Sequence, residues 1–68
     1  MITYPVWDVT DVEMVLRDRR VLRVEKRGRL MWRWSVHQPA LAGFDELDCG
    51  WANTMAEAQS QSMRAVGL

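Results

Sequence analysis

The 68-residue sequence contains one cysteine, one histidine and two prolines, and it has no long apolar run. With only Cys49 and His37 available, neither an internal disulfide nor a Cys/His zinc cluster can form. No segment approaches the ~18 apolar residues of a membrane span, and no basic, apolar leader is recognisable. We therefore expect a soluble cytoplasmic protein that holds no metal or cofactor and does not contact a membrane.

Motifs that carry catalysis are also missing, because there is no glycine-rich phosphate loop, nucleophile elbow or metal-binding spacing. Ser35 and His37 share a strand face, but Cys49 alternates with apolar residues. We expect that thiol in the core, where cysteine behaves as a small hydrophobe. Glu46 and Asp48 are expected on a solvated strand edge. The sequence thus predicts no catalytic residues, and we do not expect an enzyme.

A chain of this length has room for one domain, residues 1–68, and its stability margin is thin. Without disulfides or a metal, large aromatic side chains are what remains to build a core, since each can bury roughly 150–250 Å². Tyr4 and Phe44 belong to this group. Core packing is the expected role of the four tryptophans, Trp7, Trp32, Trp34 and Trp51.

The end of the chain predicts a helix over residues 54–66. Thr54 and Glu57 have the spacing of a capping box, and Gly67 stands where a helix commonly ends in a left-handed residue. The stripe expected to face a sheet comprises Met55, Ala58, Ser62, Ala65 and Val66. The face expected in solvent comprises Glu57, Ser60, Gln61 and Arg64.

The middle of the chain predicts a β-hairpin, because apolar and polar residues alternate on both sides of a glycine-containing turn. A three-residue loop over 26–28 would place Gly28 in the left-handed bulge position and set Val24 opposite Leu30. The core face would then comprise Leu22, Val24, Leu30, Trp32, Trp34 and Val36. The exposed face would comprise Arg19, Val21, Arg23, Glu25, Arg29, Met31, Arg33, Ser35 and His37.

A third strand is predicted at residues 46–52, after a loop at 38–45. Its inward positions would be Leu47, Cys49 and Trp51. Residues 8–19 fit either a helix, with a second capping box at Thr10 and Glu13, or a strand, and we favour the strand. The predicted fold is α+β: a small antiparallel meander of three or four strands packed against one C-terminal helix. The alternative adds an N-terminal helix, in the order α-β-β-β-α.

That alternative order, with the stretch 50–58 running into Arg64 and Ala65, resembles the last strand and helix of double-stranded-RNA-binding domains. The resemblance covers about the final third of the chain and implies a shared architecture. Those domains carry phosphate-gripping lysines at the start of the last helix. This sequence has Thr54, Met55 and Ala56 there, so the resemblance does not imply RNA binding.

Charge is segregated along the chain although the total is zero. Eight of the nine basic residues lie within residues 17–33, where the acidic residues are Asp18 and Glu25. Nearly all the basic residues are arginine, whose planar fork suits carboxylates, phosphates and aromatic faces. The residues predicted to bind a partner are Arg19, Arg23, Arg27, Arg29, Met31 and Arg33.

Two functions are compatible with this surface. A small binding module, acting as an adaptor, inhibitor or subunit and encoded by a phage or mobile element, would use it on a protein partner with an acidic patch. The acidic flanks of the chain would also permit homo-oligomers. A nucleic-acid-binding domain would instead use the basic hairpin 17–33. We favour the protein partner, because a zero net charge and an isoelectric point near 6.5 are unusual for nucleic-acid domains.

Overall fold

The computed structural model describes residues 12–68, so the predictions for Tyr4, Trp7 and Thr10 lie outside the described residues. Its elements are β1 (Glu13–Val15), β2 (Val21–Gly28), β3 (Met31–Ala40), β4 (Gly43–Ala52) and α1 (Met55–Ala65). The strands form one antiparallel sheet in the order β1-β2-β3-β4, and α1 packs on one face of it. The predicted α+β fold, an antiparallel meander of three or four strands packed against one C-terminal helix, is confirmed, and the number of strands is four. Within residues 12–68, no helix has the length and apolarity needed to cross a bilayer.

The core lies between α1 and the face of the sheet that α1 covers, here called the inner face. Trp34 is 8% exposed, and its indole Nε1 donates a hydrogen bond to Gln61 Oε1 at 2.9 Å. Trp32 packs half-buried beside it, so the inward direction predicted for these two tryptophans is confirmed. Gln61, predicted in solvent, instead satisfies the buried indole. Within the described part of the chain, the buried apolar residues are Met14, Leu16, Leu22, Val24, Trp34, Val36, Ala52 and Ala58.

Both ends of α1 are capped by the signals in the sequence. Thr54 Oγ1 accepts a hydrogen bond from Glu57 N at 3.1 Å, while the Glu57 carboxylate accepts one from Asn53 N at 3.3 Å. Gly67 takes the left-handed conformation, with φ of 84°, and Leu68 N donates to Met63 O. These bonds satisfy backbone groups that a helix end leaves unpaired. The predicted inward stripe is wrong at one position, Ala65, which is exposed.

The β2–β3 turn is at Arg29 and Leu30, directly after the predicted loop. The centre of the strand pairing moves by two residues, so that Val24 faces Trp34 instead of Leu30. Leu30, predicted in the core, is exposed in the turn. Since the shift preserves the period of two, the remaining residues of both strands keep their predicted faces. A three-residue loop with a left-handed third residue occurs instead between β1 and β2, where Arg19 has φ of 72°.

Strand β4 is inverted relative to the prediction, and it begins three residues earlier. Gly50 and Ala52 face α1, whereas Cys49 and Trp51 point to the opposite face and are exposed. The reason is steric: a Cβ on Gly50 would lie 2.6 Å from three atoms of the Trp34 indole, so only glycine fits beneath that ring. Leu47, at a register shift, is exposed as well. The predicted loop 38–45 is mostly strand, with its turn at residues 41–42.

Candidate functional site

The face of the sheet opposite α1, here called the outer face, holds the predicted arginines of the strands. Ladder pairing aligns Arg23, Ser35 and Cys49 in one row across β2, β3 and β4. The neighbouring row aligns Glu25, Arg33 and Trp51. The outer face comprises Glu13, Val15, Val21, Arg23, Glu25, Arg33, Ser35, His37, Phe44, Glu46, Cys49 and Trp51.

Ion pairs reduce the positive charge expected of this face. Arg33 Nη2 lies 2.7 Å from Glu46 Oε1, and that hydrogen bond raises the pKa of the Arg33 guanidinium. Arg23 Nε lies 3.6 Å from Glu13 Oε2. Exposed pairs of this kind contribute about 0–1 kcal/mol each to folding, so a partner can rearrange them at little cost. The centre of the outer face therefore carries paired positive and negative side chains and is not a uniformly positive surface.

The six predicted binding residues are spread along β2 and the adjoining part of β3. Arg19 lies in the β1–β2 loop, and Arg29 lies in the β2–β3 turn. Eight strand residues separate them, which corresponds to about 26 Å. Arg27 reaches back to Glu25, with 3.1 Å between Nη2 and Oε2. The structure thus brings Arg27, Arg29, Met31 and Arg33 to one end of the hairpin and places Arg19 at the far end. Arg23 lies between them, with its Nε 4.0 Å from the same Glu25 carboxylate.

Trp51 is the residue of this site that sequence reasoning missed. It stands beside Arg33 on the outer face and is 55% exposed. Its alternation with Cys49 and Leu47 pointed to the core, but the small neighbours Gly50 and Ala52 were the better signal. On the neighbouring strand β3, the large side chains of Trp34 and Trp32 lie opposite Gly50 and Ala52, and the Trp34 indole takes the space that a side chain on Gly50 would need. We name the resulting cluster the tryptophan–arginine patch: Arg27, Arg29, Met31, Arg33 and Trp51.

The polar residues in the middle of the outer face are not arranged for nucleophilic catalysis. His37 Nε2 lies 2.8 Å from Ser35 Oγ, but Ser35 is only 2% exposed, so its hydroxyl is not presented to a substrate. His37 also borders a shallow depression of about 300 Å³. The described lining of that depression comprises Glu13, Val21, Arg23, His37 and Phe44. Within residues 12–68, no group of three His, Cys, Asp or Glu side chains could hold a metal ion.

Comparisons of the chain with models of protein families, with curated proteins and with solved structures find no match. Function is therefore inferred from the surfaces of the domain itself.

Proposed function

We propose that the protein is a small non-catalytic binding module whose tryptophan–arginine patch contacts a protein partner. The observation that carries the proposal is an exposed tryptophan beside arginines on an open sheet face. Trp51 and Met31 are each more than half exposed although both are large and apolar. Tryptophan, methionine and arginine are enriched in protein interfaces, and tryptophan and arginine dominate the residues whose truncation weakens binding most.

The partner surface that fits this patch is acidic. Arg33 is the ladder neighbour of Trp51, Arg27 and Arg29 lie near the same end of the hairpin, and the carboxylates paired with Arg27 and Arg33 are those of Glu25 and Glu46. A partner carboxylate could replace Glu25 or Glu46 in a bidentate contact, because the existing pairs are solvent-exposed and weak. Complementary charge of this kind speeds association and sets the orientation of the complex.

A protein partner accounts for the arrangement better than a nucleic acid does. Arg19 and Arg29 lie at opposite ends of β2, about 26 Å apart, and Arg23 between them lies within salt-bridge distance of both Glu13 and Glu25. A phosphate backbone along β2 would meet Glu13, Glu25 and Glu46 as well as the arginines. The roles that fit such a binding module are those of an adaptor, an inhibitor or a subunit. We propose that the protein is encoded by a phage or mobile element. The exposed free thiol of Cys49 suits the reducing cytoplasm.

The test compares capture of host proteins by the wild-type chain and by three variants. Trp51→Ala and Arg33→Ala remove parts of the patch, and both side chains lie outside the core, so we expect unfolding free energies within about 1 kcal/mol of wild type. Val15→Ala is the matched control, since Val15 is an equally exposed apolar residue on the same face, away from the patch.

Once a captured protein is purified, calorimetric titration measures its affinity for each variant. We expect Trp51→Ala to weaken binding by about 30-fold or more and Val15→Ala to leave it unchanged. Equal affinity for wild type and Trp51→Ala would reject the patch as the site. Gel shifts with DNA and RNA test the other class. If the protein shifts a nucleic acid, and its affinity falls with salt at a log–log slope of about −0.9 per phosphate neutralised, the partner is a nucleic acid and not a protein.

A further inference from the structure

The distal part of the β3–β4 hairpin projects beyond the rest of the sheet. The last residue of β3 that pairs with β2 is His37, whereas β3 and β4 continue together to Ala40 and Gly43. Every residue from 38 to 48 is exposed, and we call this segment the arm. Leu41 stands fully exposed at its tip. A leucine at the end of a solvated hairpin adds nothing to the stability of its own domain, and its apolar surface is available for contact with another molecule.

An apolar depression that could receive a leucine side chain lies on the same domain. It has a volume of about 250 Å³, with an apolar lining of Leu16, Val66 and Leu68. That is below the roughly 300–1,000 Å³ typical of small-molecule sites, and it suits a single apolar side chain. Among the residues that the structure describes, the polar rim of the depression comprises Arg17, Asp18 and Arg20.

Charge on the two features is complementary. The arm carries Asp45, Glu46 and Asp48 and no lysine or arginine. The loop beside the depression carries Arg17, Arg19 and Arg20 against Asp18, whose carboxylate is held by Arg20 Nε at 2.7 Å. The net charges of arm and loop therefore have opposite signs, which favours an encounter between one copy's arm and another copy's loop.

Arm and depression lie at the same end of the sheet. Val21 follows the β1–β2 loop directly and pairs with His37, the residue that precedes the arm. Two copies related by a two-fold axis at this end could each offer an arm to the other, and such reciprocal contacts close into a dimer.

We propose that two copies of the chain form a reciprocal dimer in which Leu41 of each arm occupies the depression of the other copy. This goes beyond the proposed function, since no residue of the tryptophan–arginine patch takes part. The alternative of pairing two β4 edges is disfavoured. Antiparallel pairing centred anywhere from residue 45 to 48 brings carboxylates of the two copies close together, and like charges across strands destabilise a sheet.

The test measures molar mass by analytical ultracentrifugation over a dilution series of the wild type, of Leu41→Asp and of Leu30→Asp. Leu41 is free of the core, so its substitution leaves the monomer folded, which circular dichroism verifies. We expect a dimer for the wild type and a dissociation constant raised at least about 100-fold by Leu41→Asp, because both depressions lose an apolar occupant. Leu30→Asp is the control: Leu30 is also an exposed turn leucine but lies at the opposite end of β2, and it should dimerise as wild type does.

A charge exchange identifies the contact. Arg17→Glu and Asp45→Lys should each weaken the affinity of the two copies for each other. The double variant should recover most of that lost affinity. The proposal is overturned by a wild type that stays monomeric at high micromolar concentration, by a dimer indifferent to Leu41→Asp, or by single and double charge variants with additive losses. Open chains longer than a dimer would also overturn it, because they indicate contacts that do not close. Partner capture through Trp51 can fail or succeed independently of each of these outcomes.

Discussion

The close approach of the Trp34 indole to Gly50 predicts that Gly50→Ala will destabilise the domain strongly. The new Cβ would lie 2.6 Å from the Trp34 atoms Cε2, Cζ2 and Nε1. The indole cannot swing aside freely, because it is buried under α1 and bonded to Gln61. Forcing an extra methyl group into a packed core costs about 1–3 kcal/mol, and losing the indole hydrogen bond adds about 0.5–1.5 kcal/mol.

We therefore expect a loss of about 2–4 kcal/mol in unfolding free energy. A domain of this length has a total of only about 3–10 kcal/mol, so a visible unfolded fraction is expected. Urea titration followed by far-ultraviolet circular dichroism measures the loss, and the NMR signal of the Trp34 indole N–H reports whether its bond to Gln61 persists.

Two further variants make the reasoning refutable. Gly28→Ala is the control, because its Cβ would meet Met31 at an ordinary 3.5 Å, and we expect a change within about 0.5 kcal/mol. Trp34→Phe removes the indole atoms that collide, so adding Gly50→Ala to that variant should cost much less than in the wild type. If Gly50→Ala alone behaves as Gly28→Ala does, the steric explanation for the orientation of β4 is wrong.

Three smaller predictions concern the β1–β2 loop and the helix cap. Arg19→Gly should raise the unfolding free energy by up to about 1 kcal/mol, since Arg19 has φ of 72°, whereas Arg17→Gly should not; thermal unfolding compares them. The Arg20 backbone N–H, aided by its guanidinium, lowers the pKa of Asp18. The stabilisation from that carboxylate is therefore present above its ordinary pKa and is lost as pH falls through the lowered folded-state value; an NMR titration placing the pKa at or above the ordinary value would contradict this. Thr54→Ala should cost about 1 kcal/mol in urea unfolding, because Glu57 N loses its acceptor.

Local signals in the sequence predicted those elements whose hydrogen bonds close within a few residues. The caps of α1 at Thr54 and Gly67 are of this kind, since the bonds they make depend on chain neighbours alone. The alternation of β2 and β3 likewise predicted which residues share a face, and that prediction survived a turn misplaced by two residues.

The misplaced turn shows where local chemistry is ambiguous. Gly28 suited a left-handed loop position, but it lies in β2 at a bulge, and a left-handed residue is found at Arg19 in the other hairpin. Several turns are compatible with one alternating pattern, because each preserves the period of two. The choice depends on which register buries Val24 and Trp34 together under α1.

What the sequence determined by itself is the kind of domain: an antiparallel meander of three or four strands, one capped helix and a core built around inward tryptophans. Tertiary structure alone decided which way β4 faces. Alternation states that Cys49 and Trp51 share a side, but it does not say which side. The size of Trp34 requires Gly50 beneath it, and that contact between distant residues turns Trp51 outward beside Arg33. The candidate binding surface exists because of that steric constraint.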